Sequence, residues 1–211
     1  MYWNTVTPLL KETLIALMKE ELFVPFRLVG GTALSLQLGH RQSVDIDLFT
    51  AADYGTINFK AIEKYFKSNF EIVESNSVEN IGIGKSYYVG RAKKNLLKVD
   101  IYYTDPYIRK EIKEDQIRLA APEDIIAMKL EVIAQGGRKK DFWDLHELQE
   151  KFTIPAMVKF HEEKNPYSFN ENELQQALTN FIVADDEPDP VCLRGKHWEL
   201  IKLDFINWLN K

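Results

Sequence analysis

Two aspartates separated by one residue, Asp45 and Asp47, are the side chains of this sequence best suited to chemistry. In an extended strand, residues i and i+2 project from the same face, so the two carboxylates would lie side by side. Val44, Ile46 and Leu48 would bury the opposite face. Adjacent carboxylates repel each other, and a divalent cation offsets that repulsion. The pattern therefore predicts a Mg²⁺ site, because Mg²⁺ is usually held by carboxylates together with substrate phosphates.

A second predicted strand supplies a third carboxylate. Between Leu96 and Tyr103, apolar and polar residues alternate, which places Lys98 and Asp100 on one face. Asp100 is therefore a candidate for a third acid beside Asp45 and Asp47.

A glycine turn precedes the paired aspartates at Gly30, Gly31 and Thr32. Glycine lets backbone N–H groups approach a phosphate closely, and the N-terminus of the following helix favours anions. The Thr32 hydroxyl would add a hydrogen bond to the bound phosphates. The alternative is that these glycines serve only a tight turn. We predict that all three residues bind the phosphates of a substrate.

Polar residues also lie in the loop just before the paired aspartates. Arg41 and Ser43 are predicted to contact phosphate or sugar, or else to position the loop and balance the carboxylates. His40 is interpreted as structural. Aromatic residues that could stack on a nucleobase are Tyr102, Tyr103 and Trp143, although most aromatics at strand or helix spacing belong to the core.

The glycine turn, the Asp45-Ile46-Asp47 strand and the aspartate on a neighbouring strand together resemble the active-site signature of the nucleotidyltransferases related to polymerase beta. The resemblance implies transfer of a nucleoside monophosphate from an NTP to an acceptor, with release of pyrophosphate. It also implies an NTP substrate and Mg²⁺ as the cofactor, with Asp45, Asp47 and Asp100 as both catalytic residues and metal ligands. The implied arrangement is a two-metal site with ions about 3.5–4 Å apart, in which Asp100 could also accept a proton from the nucleophile.

Residues 25–150 resemble, more specifically, the abortive-infection toxin nucleotidyltransferases of the AbiEii/AbiGii family. The matching segments are Gly30–Leu34, His40–Leu48, Lys98–Asp100, Pro122–Leu130 and Arg138–Leu145. The resemblance implies that Lys129 is a catalytic, nucleotide-binding residue and that Asp141 contacts the substrate or base. The family usually has an arginine just before the equivalent of Asp141, whereas this chain has Lys140. On the residues alone, Lys129 could instead pack its stem on the core, and the second helix could begin as a charged, exposed turn.

The periodicity of the chain indicates an α+β fold. We predict helices over 8–20, 32–38 and 57–70, and strands over 26–29, 44–49, 71–74, 86–92 and 96–103. After residue 120 helical spacing dominates, and the acidic stretch 184–190 is predicted to be a solvated linker. The expected organisation is a small mixed β-sheet core flanked by helices over 1–120, followed by a C-terminal helical domain over 121–211 that completes the cleft.

Composition excludes several classes of protein. The net charge is −5, so a broad non-specific nucleic-acid surface is not expected, although basic residues around Lys94 and Lys139 could form a local phosphate-binding rim. Cys192 is the single cysteine, which fits a reducing cytoplasm. The N-terminus lacks the order of a signal peptide, and no apolar run reaches the roughly 20 residues that span a bilayer. We expect a cytoplasmic protein that does not enter a membrane.

Two functional hypotheses remain open on the sequence. The first is the toxin of a toxin–antitoxin or phage-defence pair, which modifies an acceptor RNA such as a tRNA 3′ end or a protein hydroxyl and has a cognate antitoxin. The second is a non-catalytic nucleotide-binding protein on the same scaffold that acts through a protein partner. A third possibility, in which the acids only decorate the surface, predicts no stabilisation by Mg²⁺ and NTP.

Overall fold

The computed structural model describes residues 1–75 and 82–209. The helices are α1 (Pro8–Lys19), α2 (Gly30–Leu38), α3 (Phe59–Asn69), α4 (Pro122–Ala134), α5 (Lys139–Leu148), α6 (Ile154–Lys164), α7 (Glu171–Ala177), α8 (Ile182–Asp185) and α9 (Trp198–Leu209). The strands are β1 (Arg27–Leu28), β2 (Asp45–Thr50), β3 (Ile72–Ser75), β4 (Gly84–Ala92), β5 (Asn95–Tyr103), β6 (Ile112–Glu114) and β7 (Ile117–Leu119).

The strands form one mixed sheet in the order β3-β4-β5-β2-β1-β7-β6. Strand β2 pairs in parallel with β5 and antiparallel with β1, so it lies in the middle of the sheet. Strand β2 alternates between buried and half-buried residues: Ile46 and Leu48 are fully buried, while Asp45 and Asp47 keep access to solvent, as predicted. Val44 was predicted to share the buried face, but it precedes the strand and is 62% exposed. The predicted α+β fold with a mixed sheet is confirmed.

Local sequence signals explain where the helices of the site begin. Pro122 occupies the first turn of α4, where its missing N–H costs nothing and its fixed φ suits a helix. At the start of α5, Asp141 accepts a hydrogen bond from the backbone N–H of Arg138. This acidic residue in the first turn also suits the positive end of the helix dipole.

The hairpin of β6 and β7 was not predicted from the sequence. Its two-residue turn is Asp115-Gln116, and both residues have positive φ. Such turns normally carry Asn-Gly or Asp-Gly, so the pattern lacked the usual glycine. Strand β7 matters for the fold because it pairs in parallel with β1 and leads directly into α4.

One cluster of buried apolar residues runs from Leu10 in α1 to Phe205 in α9. The sheet and the C-terminal helices therefore contribute to the same core. The division of the chain into domains at residue 120 stays a prediction. Across the described ranges, no helix is both long and apolar enough to cross a lipid bilayer.

Candidate active site

The three predicted carboxylates meet on one face of the sheet. Strands β2 and β5 pair in register, so that Asp45 lies opposite Lys98 and Asp47 lies opposite Asp100. All four side chains line one cavity of about 230 Å³. Two strands about 50 residues apart in sequence thus bring together the acids that the alternation pattern placed on their polar faces.

The environment of Asp47 disfavours its charged form. Burial, together with the nearby carboxylates of Asp100 and Asp45, raises the pKa of Asp47 from its ordinary value of 3.8 to about 6. The amino groups of Lys98 and Lys140 partly oppose this rise in pKa. A bound cation would reduce the repulsion among these three carboxylates by neutralising part of their negative charge.

Asp100 has one satisfied and one unsatisfied oxygen. Its Oδ2 accepts a hydrogen bond from Lys98 Nζ at 2.6 Å. Its Oδ1 is buried and has no hydrogen-bond partner among the described residues. Buried carboxylate oxygens normally have a partner, so an unpaired one in a cavity indicates space for a ligand or a cation.

These carboxylates fit a hard divalent cation. They supply only oxygen donors, and their mutual repulsion favours a positive charge between them. Within the described ranges, no three His, Cys, Asp or Glu side chains form a closed group of metal ligands. A Mg²⁺ ion at this place would therefore complete its shell with water and substrate phosphates, which is its usual behaviour.

The glycine turn is needed for close packing within the site. Gly30 has a φ of +68°, and a Cβ there would lie 2.6 Å from Asp47 Oδ2. A Cβ on Gly31 would overlap the guanidinium of Arg41. Both glycines also line the cavity. Their small size thus lets Asp47 and Arg41 lie against the start of α2, which goes beyond the tight turn considered from sequence.

The hydroxyl of Thr32 has a different place from the one predicted. It donates a hydrogen bond to the backbone carbonyl of Asp45, and it lies 2.8 Å from Ser43 Oγ. Thr32 is buried and does not line the cavity. The expectation that Thr32 binds phosphate is therefore replaced by a structural role, because its single proton is used to fix strand β2.

Ser43 does line the cavity. Since the Thr32 proton goes to Asp45, the hydrogen between the two hydroxyls comes from Ser43. Ser43 then presents only acceptor lone pairs to the cavity. Of its two predicted contacts, a sugar hydroxyl suits an acceptor, whereas a fully ionised phosphate oxygen does not.

A buried network of ion pairs connects Arg41 and Lys129 to helix α5. Arg41 donates to both oxygens of Asp144, at 2.6 and 2.7 Å, and His40 Nε2 lies 2.6 Å from the same carboxylate. Lys129 Nζ lies 2.6 Å from Asp144 Oδ2. Burial alone would raise the pKa of Asp144, but Lys129 and Arg41 hold it well below its ordinary value.

Asp141 is the second anchor of this network. Its Oδ1 accepts a hydrogen bond from Lys129 Nζ at 2.8 Å, and its Oδ2 accepts one from Arg138 Nε at 2.9 Å. Burial would lower the pKa of Lys129, yet the carboxylates of Asp141 and Asp144 raise it, so Lys129 stays charged. Asp141 and Lys129 both line the cavity, and the contacts of Asp141 favour a role in positioning the two cations.

The start of α5 supplies a positive charge that no carboxylate pairs with among the described residues and that is available to a phosphate. The two cations Arg41 and Lys129 are balanced by Asp141 and Asp144. Lys140 lines the cavity and makes no ion pair with any described residue. It therefore supplies a cation whose charge is not already neutralised by a direct partner.

A second cavity of about 450 Å³ adjoins the first. Both are lined by Arg41, Ser43, Asp45, Arg138 and Lys140. The far wall of the second cavity is residues 187–191. Asp45 is therefore exposed to two adjoining spaces, whereas Asp47 lines only the first.

The acidic stretch 184–190 is not the solvated linker that its composition predicted. Glu187 accepts a hydrogen bond from the backbone N–H of Lys139, and Asp189 pairs with Lys139 Nζ at 3.0 Å. The backbone continues along the loop before β2, where Val191 accepts a hydrogen bond from the N–H of Gln42. The prediction of a linker was wrong because Glu187 and Asp189 are held by Lys139 from a distant part of the chain, although Asp185, Asp186 and Asp189 are exposed to solvent as predicted.

The aromatic residues considered for base stacking lie away from the cavity. Trp143 is buried in the core, Tyr103 accepts a hydrogen bond from the N–H of Ile57, and Tyr102 packs against Phe49. Phe49 itself lines the cavity, and the sequence reasoning missed it. Its position, four residues after Asp45 on the same strand face, was the signal that could have found it.

Comparison with known proteins gives independent information on the family and the fold of the chain. The chain matches the family described as the nucleotidyl transferase AbiEii toxin of type IV toxin–antitoxin systems over residues 12–197. An uncharacterised protein of Aquifex aeolicus (strain VF5) is 35% identical over 135 residues. That alignment covers 60% of this chain and 58% of the relative, so the chain matches little more than half of that protein's length.

Two solved structures share the fold. JHP933 from Helicobacter pylori is 23% identical, with a TM-score of 0.59 over 96% of this chain and 90% of its own. MenT4, a nucleotidyltransferase toxin from Mycobacterium tuberculosis H37Rv, is 14% identical, with a TM-score of 0.62 over 96% of this chain and 83% of its own. At these identities the likeness establishes the fold alone.

A mixed sheet with Asp45 and Asp47 on one strand and Asp100 on the next, beside a glycine turn, is the architecture of the nucleotidyltransferase class. Because the family match covers most of the sequence, the chain belongs to the AbiEii nucleotidyl transferase toxin family. The resemblance stated from the sequence is thereby confirmed.

Proposed function

We propose that the chain is a Mg²⁺-dependent nucleotidyltransferase that moves an NMP from an NTP to an acceptor hydroxyl. The observation that carries this proposal is the meeting of Asp45, Asp47 and Asp100 in one cavity with the cations of α4 and α5. Two adjoining cavities that share Asp45 also suit a reaction between two substrates.

The side chains can be given roles in this reaction. Asp45, Asp47 and Asp100 would hold Mg²⁺, which when bound would supply positive charge to the triphosphate. Lys140 and Lys129 would bind phosphate oxygens, and the N–H groups of Gly30 and Gly31 would add hydrogen bonds. Asp141 and Asp144 hold Lys129 in place through buried ion pairs, whereas Lys140 has no such partner among the described residues.

In the transfer step, the proposed proton acceptor is the Asp100 oxygen that has no hydrogen-bond partner among the described residues. Its Oδ1 would take the proton of the acceptor hydroxyl, whose oxygen forms a bond to the α-phosphorus. The bond from the α-phosphorus to the bridging oxygen breaks, and pyrophosphate leaves with that electron pair. Lys98, 2.6 Å from Asp100 Oδ2, keeps this carboxylate oriented.

The acceptor is proposed to be an RNA 3′ end, such as that of a tRNA, or a protein hydroxyl. Family membership supports a role as the toxin of a toxin–antitoxin or phage-defence system in the cytoplasm, acting with a cognate antitoxin. Inducing the wild-type chain alone should then arrest growth, whereas Asp47→Ala should not.

Label transfer tests the catalytic proposal directly. The purified protein is mixed with Mg²⁺ and each α-³²P-labelled NTP, against total RNA and against lysate protein. Asp45→Ala is the inactive variant, and Asp53→Ala, an exposed aspartate on the loop after β2, is its matched control. We expect label on one class of acceptor with the wild type and Asp53→Ala, and none with Asp45→Ala.

The outcomes separate the competing functions. Label on RNA identifies an RNA-modifying enzyme, and label on protein identifies a protein-modifying one. If folded wild type binds NTP with Mg²⁺ but transfers no label to either, the non-catalytic nucleotide-binding protein acting through a partner becomes the better explanation.

A further inference from the structure

The lining of the first cavity has a charged part and an apolar part. The carboxylates and cations lie toward Asp45 and α5, whereas Phe49 on β2 and Met128 and Val132 on α4 supply an apolar wall. Phe49 follows Asp47 by two residues on the same strand face, a distance of about 7 Å along the strand. That separation is comparable with the width of a nucleoside.

The apolar residues that α4 contributes to the cavity lie in one stripe along the helix. Ile125, Met128 and Val132 have the spacing i, i+3 and i+7, which places them on one face of the helix. Ile125 is fully buried, but Met128, Val132 and Phe49 are only half-buried. The remaining exposed surface of these three residues adjoins the cavity, so a flat apolar group inserted there would remove it from water.

We propose that Phe49 and Met128 form the slot for the nucleobase of the incoming NTP, with Val132 at its edge. This proposal rests on the proposed function and names which part of the site takes which part of the substrate. A base presents a π-face that stacks on an aromatic ring, and a polarisable thioether packs well against the other aromatic surface. The triphosphate then lies toward Asp45 and the cations of α5.

The slot also predicts how bases are distinguished. The side chains of the proposed slot, Phe49, Met128 and Val132, carry no strong hydrogen-bonding group that could read the edge of a base. Stacking area would then set the preference, because every base has a π-face but purines have the larger one. We therefore expect ATP and GTP to bind more tightly than CTP and UTP.

Equilibrium binding separates the base from the phosphates. Calorimetry in the presence of Mg²⁺ compares ATP, CTP and inorganic tripolyphosphate on the wild type, Phe49→Ala and Phe49→Leu. Phe70→Ala is the matched control, since Phe70 is a half-buried phenylalanine that does not line the cavity. Tripolyphosphate binding also reports that each variant is folded, and Phe49→Leu retains apolar bulk in case the alanine variant unfolds.

We expect Phe49→Ala to weaken ATP binding by roughly 5- to 150-fold while leaving tripolyphosphate binding unchanged. Phe49→Leu should lie between wild type and alanine, and Phe70→Ala should match the wild type. Unchanged ATP binding in Phe49→Ala, or an equal loss for ATP and tripolyphosphate, would overturn the slot while leaving the proposed function standing. A wild type that binds no NTP at all would overturn the proposed function itself.

Discussion

The guanidinium of Arg41 and the carboxylate of Asp144 form a buried two-point ion pair, with Nε–Oδ1 at 2.6 Å and Nη2–Oδ2 at 2.7 Å. The two residues are 103 positions apart in sequence. Their pairing connects the loop before β2 with α5, and so fixes the carboxylate strand relative to the helices that carry the cations.

Removing Asp144 should destabilise the fold. Asp144→Ala leaves Arg41 and Lys129 with less compensation in a buried site, and losing one partner of a buried pair typically costs about 3–5 kcal/mol. Urea unfolding measures this loss. Asp204→Ala is the control, because Asp204 is 46% exposed and its pair with His146 should contribute less than about 1 kcal/mol. Equal losses for both variants would contradict the assigned role of Asp144.

Asp47 should make stability depend on pH. Its pKa of about 6 in the folded chain lies above its ordinary value of 3.8. The resulting stabilisation is complete below about pH 4 and is lost as pH rises through about 6. In metal-free protein, Asp47→Asn should therefore raise the free energy of unfolding by up to about 2 kcal/mol near pH 8 and by little near pH 4.

Thermal unfolding across this pH range measures the effect, and Asp53→Asn should show no such dependence. A destabilised Asp47→Asn near pH 8 would rule out the repulsion inferred at this site. Adding Mg²⁺ should stabilise the wild type more than Asp47→Asn.

Gly31 should not tolerate alanine even though it lies in a helix. Alanine normally stabilises a helix interior by about 1 kcal/mol relative to glycine, but a Cβ here would overlap the guanidinium of Arg41. We expect Gly31→Ala to cost about 1–3 kcal/mol in unfolding free energy and to reduce label transfer. Gly82→Ala, where a Cβ meets no atom of the described residues within 4 Å, should change neither. A stabilised and active Gly31→Ala would show that Arg41 moves freely.

Lys140 should affect substrate binding without affecting stability. It makes no ion pair with the described residues, so Lys140→Ala should leave the unfolding transition unchanged. Loss of one charge-assisted contact to phosphate should weaken NTP and tripolyphosphate binding alike, by about tenfold. Lys140→Arg, which keeps the positive charge, should bind as well as the wild type. Calorimetry measures both affinities. Unaltered binding in Lys140→Ala would show that the triphosphate does not contact Lys140.

Alternation and periodicity predicted the parts of the site that depend on local sequence. The faces of β2 and β5 follow from a period of two, so Asp45, Asp47 and Asp100 could be placed on their strands. The parallel pairing in register that brings them together is a tertiary property. The helices followed equally from apolar spacing, with ends shifted by a few residues.

The partners of the charged side chains could not be predicted. Asp144 is joined to Arg41 and His40 across more than 100 residues, and no local pattern encodes such a pairing. The same reason explains the acidic stretch, whose composition describes a linker but whose fold supplies Lys139 as a partner. Thr32 was misassigned because a sequence does not show where a hydroxyl proton is directed.

The acidic stretch also gives the protein a built-in order of assembly. The wall formed by residues 187–191 is synthesised well after Asp45 and Asp47. A nascent chain that has not reached these residues lacks one side of the second cavity and the contacts with Lys139 and Gln42. The growing polypeptide therefore contains Asp45 and Asp47 before it contains the residues that complete the wall of the second cavity.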